Sequence, residues 1–398
     1  MNERIAQIQL ALKEQHIDAW LFASFHYNNR FANTILSLDT EMVQSRRCFY
    51  LIPAEGEPKK LLHAIEPEQL GHLPGMTSSY SGWKTMEPAL KEMVAPYEMI
   101  AMEYSPGNAI PTVSIVDAGT VELIRSLGSK VVSSATLIQT FEAIWTEEEY
   151  QSHLRAMKCL NDCVTATFAE VARRVKQDGH TDEYAIQQWM MEFFEARNMF
   201  TYHAPVVAVN ENSANPHYEP GLDRSAKIKE GDFLLVDLWC KEKDTPRAMY
   251  ADITWTGFVG NAVPDEYRRI FNIVAAARDA ASEAIIAAYK EGKDITGAQA
   301  DDVCRKVIED SGYGEYFIHR TGHSIGEEVH GSGANVDNLE TRDERKLIPR
   351  TCFSIEPGIY LPGKFGVRSE IDVYIHPDGR VEETGQPKQT DVVAMYKR

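Results

Sequence analysis

The chain has 398 residues, 43% of them hydrophobic and 25% charged, the make-up of a globular protein with room for two domains. Its 41 Lys and Arg stand against 59 Asp and Glu, a net charge of −18. No basic run is longer than a pair, which argues against binding a nucleic-acid backbone. The start, Met1 to Leu10, is polar and helical in pattern and lacks the apolar core of a secretory signal. No apolar run reaches the roughly 18 residues of a membrane span. Six cysteines (Cys48, Cys159, Cys163, Cys240, Cys304, Cys352) are scattered without a disulfide framework. Cys159 and Cys163 lie one helical turn apart, but no second Cys or His pair completes a zinc set. Reduced thiols in a cytoplasmic protein are the expectation.

Residues 1 to about 140 alternate helix and strand patterns. A first helix spans about Glu3 to Glu14. Short apolar runs follow at Asp18–Ala23, Arg47–Ile52 (ended by Pro53), Lys60–His63 and Met99–Met102. This describes a small α/β domain. The boundary falls near Trp145-Thr146, giving domains 1–143 and 144–398. Thr146 and Glu149 form a capping box, in which each side chain takes a backbone N–H of the other. A long amphipathic helix runs from there to about Lys176 and stops at Gly179. A second helix begins after Thr181 and runs to about Arg197, and strands follow at Phe233–Trp239 and Tyr250–Thr256. The order then repeats. Pro264-Asp265-Glu266 opens an Ala-rich helix to about Gly292. Thr296 caps another that ends at Ser311-Gly312, and strand-like runs return around His323, Glu356 and Glu370. Two related halves facing one cleft are predicted.

Five metal-type ligands stand in order in this region: Asp237, Asp252, His323, Glu356 and Glu370. Each lies in or beside an apolar strand-like run, where a lone charge is out of place. Burying an ionised carboxylate costs several kcal/mol unless it is paired or binds a metal. Four acids and one imidazole cannot neutralise one another; two divalent cations can. Taken singly, Asp237 and Asp252 are equally readable as structural acids paired with Arg or Lys, and Glu356 before Pro-Gly as a turn cap.

With these residues in order, the chain resembles the pita-bread metallopeptidases: methionine aminopeptidase, aminopeptidase P, prolidase and the metal-free creatinase. The motifs are Asp237, Ala-Asp252-Ile-Thr, Gly-His323-Ser-Ile-Gly, Glu356-Pro-Gly and Arg368-Ser-Glu370. The resemblance covers about residues 146–390, and the α/β domain ahead of them places the chain beside the prolidase and aminopeptidase P branch. It implies a creatinase-like N-terminal domain followed by an α+β pita-bread catalytic domain with two pseudo-related halves. One departure is clear. The family spaces its two aspartates more closely and has a small residue two after the first. Here the insert Lys241–Arg247, read as a longer hairpin loop, separates Asp237 from Asp252, and Trp239 takes the small position.

By resemblance, Asp237 binds one metal, Asp252 and Glu370 bridge two, and His323 and Glu356 bind the second. Two divalent ions per subunit are implied, with Mn²⁺ favoured by carboxylate-rich ligation and Zn²⁺ or Co²⁺ as substitutes. They would hold a water between them and make hydroxide available near neutral pH. Glu356 would also take the water's proton and pass it to the leaving nitrogen. His217, His319 and His330 match substrate positions, with His330 or His217 steadying the tetrahedral intermediate; each is also readable as an ordinary core or surface histidine. His203 has no matching position and reads as structural or rim. Arg368 would pin the aspartates or grip a substrate carboxylate. Arg46 and Arg47 are candidates for reading a peptide C-terminus, against the plainer reading of a solvated pair. Tyr218 and Trp239 could wall a proline pocket or belong to the core.

The implied activity is cleavage of the bond before proline, by an Xaa-Pro dipeptidase or, alternatively, by an Xaa-Pro aminopeptidase acting on longer peptides. More remote are a creatinase-type amidinohydrolase and a non-catalytic binding module on the same fold. Expected partners are a dipeptide or short peptide and a second copy of the chain, with no nucleic acid and no membrane.

Overall fold

The computed structural model describes residues 1–396, and the chain divides into two compact units, Met1–Glu142 and Ala143–Arg398. The first is built on six strands: β1 (Ala19–Ser24), β2 (Cys48–Pro53), β3 (Lys59–His63), β4 (Met76–Tyr80), β5 (Met99–Met102) and β6 (Lys130–Ser133). Their order is β4-β3-β2-β1-β5-β6, with β2 antiparallel to both its neighbours and the other pairs parallel. The helices are α1 (Asn2–Glu14), α2 (Arg30–Ile35), α3 (Trp83–Val94), α4 (Ala118–Ser126) and α5 (Ala135–Ile138). Alternate strand residues feed two cores, Trp20, Phe22, Tyr50 and Ile52 on one face, Leu21, Phe49 and Leu51 on the other. Burial on both faces is why these strands read as unbroken apolar runs. β4 carries no such signal, because its Met-Thr-Ser-Ser-Tyr residues are mostly exposed at the sheet edge. Pro53, read from sequence as a stop, occupies the last position of β2.

The second unit opens with α6 (Glu147–Asp178) and α7 (Glu183–Glu195). The capping box closes α6: Glu149 N–H donates to Thr146 Oγ1 at 3.3 Å, and Thr146 N–H donates to Glu149 Oε2 at 2.7 Å. Gly179 ends the helix at φ 80°, a left-handed turn that favours glycine. Short strands β7 (Thr181–Asp182), β8 (Met199–Phe200), β9 (Val206–Val209) and β10 (Lys227–Ile228) lead to the long hairpin of β11 (Phe233–Glu242) and β12 (Ala251–Phe258). Then come α8 (Asp265–Lys290), α9 (Gly297–Asp310), β13 (Ser324–Ile325), β14 (Cys352–Ile355), β15 (Gly358–Leu361), β16 (Phe365–Arg368), β17 (Ile371–Ile375), β18 (Val381–Glu383) and β19 (Val393–Ala394).

The repeat predicted from sequence is a pita-bread architecture. α6 and α7 cover the β11–β12 sheet through Leu160, Val164, Ile186 and Met190, against Leu234, Val236, Leu238 and Ile253. α8 and α9 cover the sheet β13-β14-β17-β18 through Ile270, Val274, Ala281 and Cys304, against Phe353, Ile355 and Val373. The expected hairpin loop is shorter than the insert. Lys241 and Glu242 continue β11 and pair with Phe200 and Met199 of β8, because backbone groups beyond β9 would otherwise lack partners. Only 243–250 connect the strands. Among the described residues, no helix is long and apolar enough to cross a membrane.

Candidate metal centre and cleft

Strand alternation sets the floor of the site. While Leu234, Val236, Leu238 and Cys240 face the helices, Asp237 and Trp239 face the other way. Across the hairpin Asp237 pairs with Thr254 and Trp239 with Asp252, so all four share one face. The second sheet supplies the rest. β14 pairs with β17 through Ile355 and Ile371, and Glu356 and Glu370 follow and precede those residues. His323 precedes β13 and is held to the neighbouring strand by its N–H to Ser354 Oγ at 3.0 Å. Gly322 is required there: a Cβ would sit 1.9 Å from the Ser354 carbonyl oxygen. The two sheets meet where Glu370 N–H donates to the Thr254 carbonyl at 3.3 Å and Asp252 N–H donates to Asp372 Oδ2 at 2.9 Å.

The side chains converge unequally. Asp252, His323 and Glu370 offer ligand atoms that all lie within 4.8 Å of one another. Glu356 Oε1 is 3.4 Å from His323 Nε2. Asp237 stands at one side: its Oδ2 takes the Arg368 guanidinium, and its Oδ1 accepts from the Thr254 hydroxyl at 3.0 Å. The same hydroxyl lies 2.7 Å from Glu370 Oε2, so Thr254 ties the outer ligand to the inner group.

This donor set fits divalent cations. Asp252, His323 and Glu370 are each 5% exposed or less. Asp252 Oδ1 and Glu370 Oε1 are buried with no hydrogen-bond partner among the described residues, an arrangement that is costly without a positive charge. Burial, then neighbouring carboxylates, push Asp252 and Glu370 well above the usual carboxylate range. Burial raises Glu356 to about 7 against the pull of Arg368. Burial, and then His330, hold His323 well below the usual imidazole value, which leaves the neutral ring a metal ligand requires.

Above this floor lies a cleft of about 620 Å³, walled by Tyr202, His203, His217, Trp239, His319, Arg320, Val329 and His330. That volume is ordinary for a small-molecule site. His330 stands edge-on to His323 with ring centroids 4.4 Å apart. Burial and then Arg320 lower its pKa to about 4, so near neutral pH it can donate one N–H. His217 is on the exposed rim, and His203 joins it there.

His319 is at the back, with both ring nitrogens engaged. Nδ1 donates to the Arg320 carbonyl at 2.7 Å, so Nε2 accepts the Tyr360 hydroxyl at 2.8 Å. Arg368 is 4% exposed and turned inward, its Nη2 on Asp237, Nε 3.0 Å from Thr254 Oγ1 and Nη1 3.1 Å from Tyr360 Oη. That orientation braces Asp237, Thr254 and Tyr360 and leaves few donors turned toward the cleft.

Tyr218 does not wall the cleft. It packs beside Val206, Ala208 and Leu235, and its hydroxyl donates to Glu183 Oε2 at 2.6 Å. Trp239 does wall it. Arg46 and Arg47 are exposed in the first unit. Thr254, Tyr360, Glu183 and Arg320 were missed as site residues. Of these only Thr254 stood within a motif, the Asp-Ile-Thr run, and nothing in that run gave it a role of its own.

Residues 155–377, more than half of the chain, match the model of metallopeptidase family M24. The chain belongs to that family. It is 31% identical over 256 residues to an Xaa-Pro dipeptidase of Lactobacillus delbrueckii subsp. lactis, a match covering 62% of this chain and 65% of that one. It is 32% identical over 217 residues to a putative Xaa-Pro aminopeptidase of Mycoplasma pneumoniae, covering 53% and 55%. The matched stretches thus span less than two thirds of either relative. The fold is shared with a crystal structure of a dipeptidase from Pyrococcus horikoshii OT3, at TM-score 0.62 and 23% identity, covering 98% of this chain and 99% of the other.

Proposed function

We propose that this protein is a dinuclear metal-dependent peptidase that hydrolyses the Xaa-Pro peptide bond, with the dipeptide as its substrate. The observation that carries the reading is the convergence of buried Asp252, His323 and Glu370, flanked by Glu356 and Asp237, on the floor of a cleft edged by histidines. Asp237, Asp252, His323, Glu356 and Glu370 would hold two ions, Mn²⁺ suiting the oxygen-rich set with Zn²⁺ or Co²⁺ as substitutes. Such ions lower the pKa of water and polarise a carbonyl.

The chain's own groups do the rest. Glu356, at the edge of the floor, takes a proton and returns it to the leaving proline nitrogen. His330 and His217 face the cleft and donate to the carbonyl oxygen as charge develops on it. His319 and Arg368, through Tyr360, set the back wall. The named activity of the Lactobacillus relative supports the dipeptide, and that of the Mycoplasma relative supports the alternative, an aminopeptidase acting on longer peptides. A cytoplasmic homodimer completes the proposal; the six free, buried cysteines are in keeping with a reducing compartment.

The test is release of the first residue from Ala-Pro and from Ala-Pro-Ala, after chelation and again after Mn²⁺ is restored. Metal-dependent cleavage of Ala-Pro alone is expected. Cleavage of Ala-Pro-Ala would transfer the reading to the aminopeptidase. Silence on both would overturn it.

A further inference from the structure

We propose that Arg320 reads the free carboxylate of the substrate and so sets this cleft's preference for a dipeptide over a blocked or longer chain; the inference rests on the Xaa-Pro reading above. Two guanidinium groups line the cleft, Arg320 and Arg368, and their situations are opposite. Arg368 is buried and bonded to Asp237, Thr254 and Tyr360. Arg320 is half-buried, and among the described residues no hydrogen bond or ion pair engages its guanidinium.

The backbone that carries Arg320 is fixed from three directions. Its own N–H donates to Glu340 Oε1 at 2.9 Å. On one side, Arg305 Nη2 donates to the His319 carbonyl at 3.0 Å. On the other, the Thr321 N–H and hydroxyl donate to Asp301 Oδ1 at 3.0 and 2.5 Å. Asp301 and Arg305 sit one turn apart on α9 and pair with each other at 3.0 Å. A rigid strap that presents an unengaged charged head is built to meet a ligand, since little ordering of the chain remains to be done on binding.

Charge decides which ligand. The cleft floor carries Asp237, Asp252, Glu356 and Glu370, a set that attracts cations and repels a peptide's carboxylate. A substrate carboxylate needs a positive group whose donors are not already used, and of the two arginines only Arg320 qualifies. A guanidinium takes a carboxylate through two parallel hydrogen bonds and loses both charge and geometry when the carboxylate becomes an amide.

The test compares kcat/KM for Ala-Pro and Ala-Pro-amide in the metal-loaded wild-type protein, in Arg320→Gln and in Arg320→Lys. The wild type should favour Ala-Pro. Arg320→Gln should lose about tenfold or more of that preference, chiefly through KM for Ala-Pro. Arg320→Lys keeps the charge without the planar fork and should retain part of it. The ratio of two substrates on one preparation does not depend on how much of a variant is folded. A wild type indifferent to the amide, or an unchanged preference in Arg320→Gln, overturns the assignment while the Xaa-Pro reading stands. Failure of the wild type on both substrates overturns that reading and this one together.

Discussion

Thr254 shows how much of the site depends on a residue with no metal-binding chemistry of its own. Its one hydroxyl proton serves Asp237 Oδ1 at 3.0 Å or Glu370 Oε2 at 2.7 Å, and its oxygen accepts from Arg368 Nε at 3.0 Å. The hydroxyl thus fixes the orientation of two carboxylates that would otherwise repel. Groups that orient ligands in this way are typically worth ~10–100-fold in metal affinity. Thr254→Val, which keeps shape and β-branching, should weaken Mn²⁺ binding by about that factor in a metal titration while leaving the circular dichroism spectrum unchanged. Unaltered affinity would show that Arg368 alone orients the pair. The five candidate ligands were visible in the sequence because each is a polar exception in an apolar run. Thr254 was not, because a threonine in a strand looks ordinary. Arg320 was not either, because an arginine three residues before His323 reads as surface until its surroundings are known.

At the scale of elements, the helices were legible from caps and periodicity, and the long hairpin from its apolar run. What escaped was how connecting segments are tied down. Glu183, in the first turn of α7, looks in sequence like an acid placed for the helix dipole. It is fully buried, and accepts from Val209 N–H at 2.7 Å, Asn212 Nδ2 at 2.9 Å, Tyr218 Oη at 2.6 Å and Ala226 N–H at 2.8 Å. Those donors flank the segment that carries His217. Sequence could not reveal this, because the partners lie 26 to 43 residues away. Glu183→Gln sets an amide donor against donors and should cost about 1–3 kcal/mol in urea unfolding. It should also lower kcat, since His217 loses its mooring. A variant as stable and as active as the wild type would contradict the arrangement.

Across the molecule, a twofold repeat of helices and strands was legible, since that order is written in hydrophobic periodicity. Exposed edge elements such as β4 were not, because nothing apolar marks them. Acid sensitivity is a property at this scale. His153 of α6 is fully buried, Nδ1 donating to the Tyr250 carbonyl and Nε2 accepting from Thr384 Oγ1, both at 2.7 Å. Burial lowers its pKa from 6.5 to about 4. The unfolded chain therefore binds a proton that the folded chain refuses. The stabilisation is complete above the unfolded value of 6.5 and is lost as pH falls toward about 4. The difference is roughly 3 kcal/mol. His153→Gln, which does not titrate, should lose correspondingly less stability between neutral pH and pH 4 in urea melts. A pH profile parallel to the wild type would contradict this.

The most direct test of the metal centre counts ions. The chain would be loaded with Mn²⁺, desalted and analysed by plasma mass spectrometry, beside Asp252→Asn, with Ala-Pro cleavage followed on the same samples. The expected result is two ions per wild-type chain, cleavage that follows them, and loss of both in Asp252→Asn. A metal-free chain that cleaves at the full rate, or an Asp252→Asn chain that keeps both ions, would contradict the account.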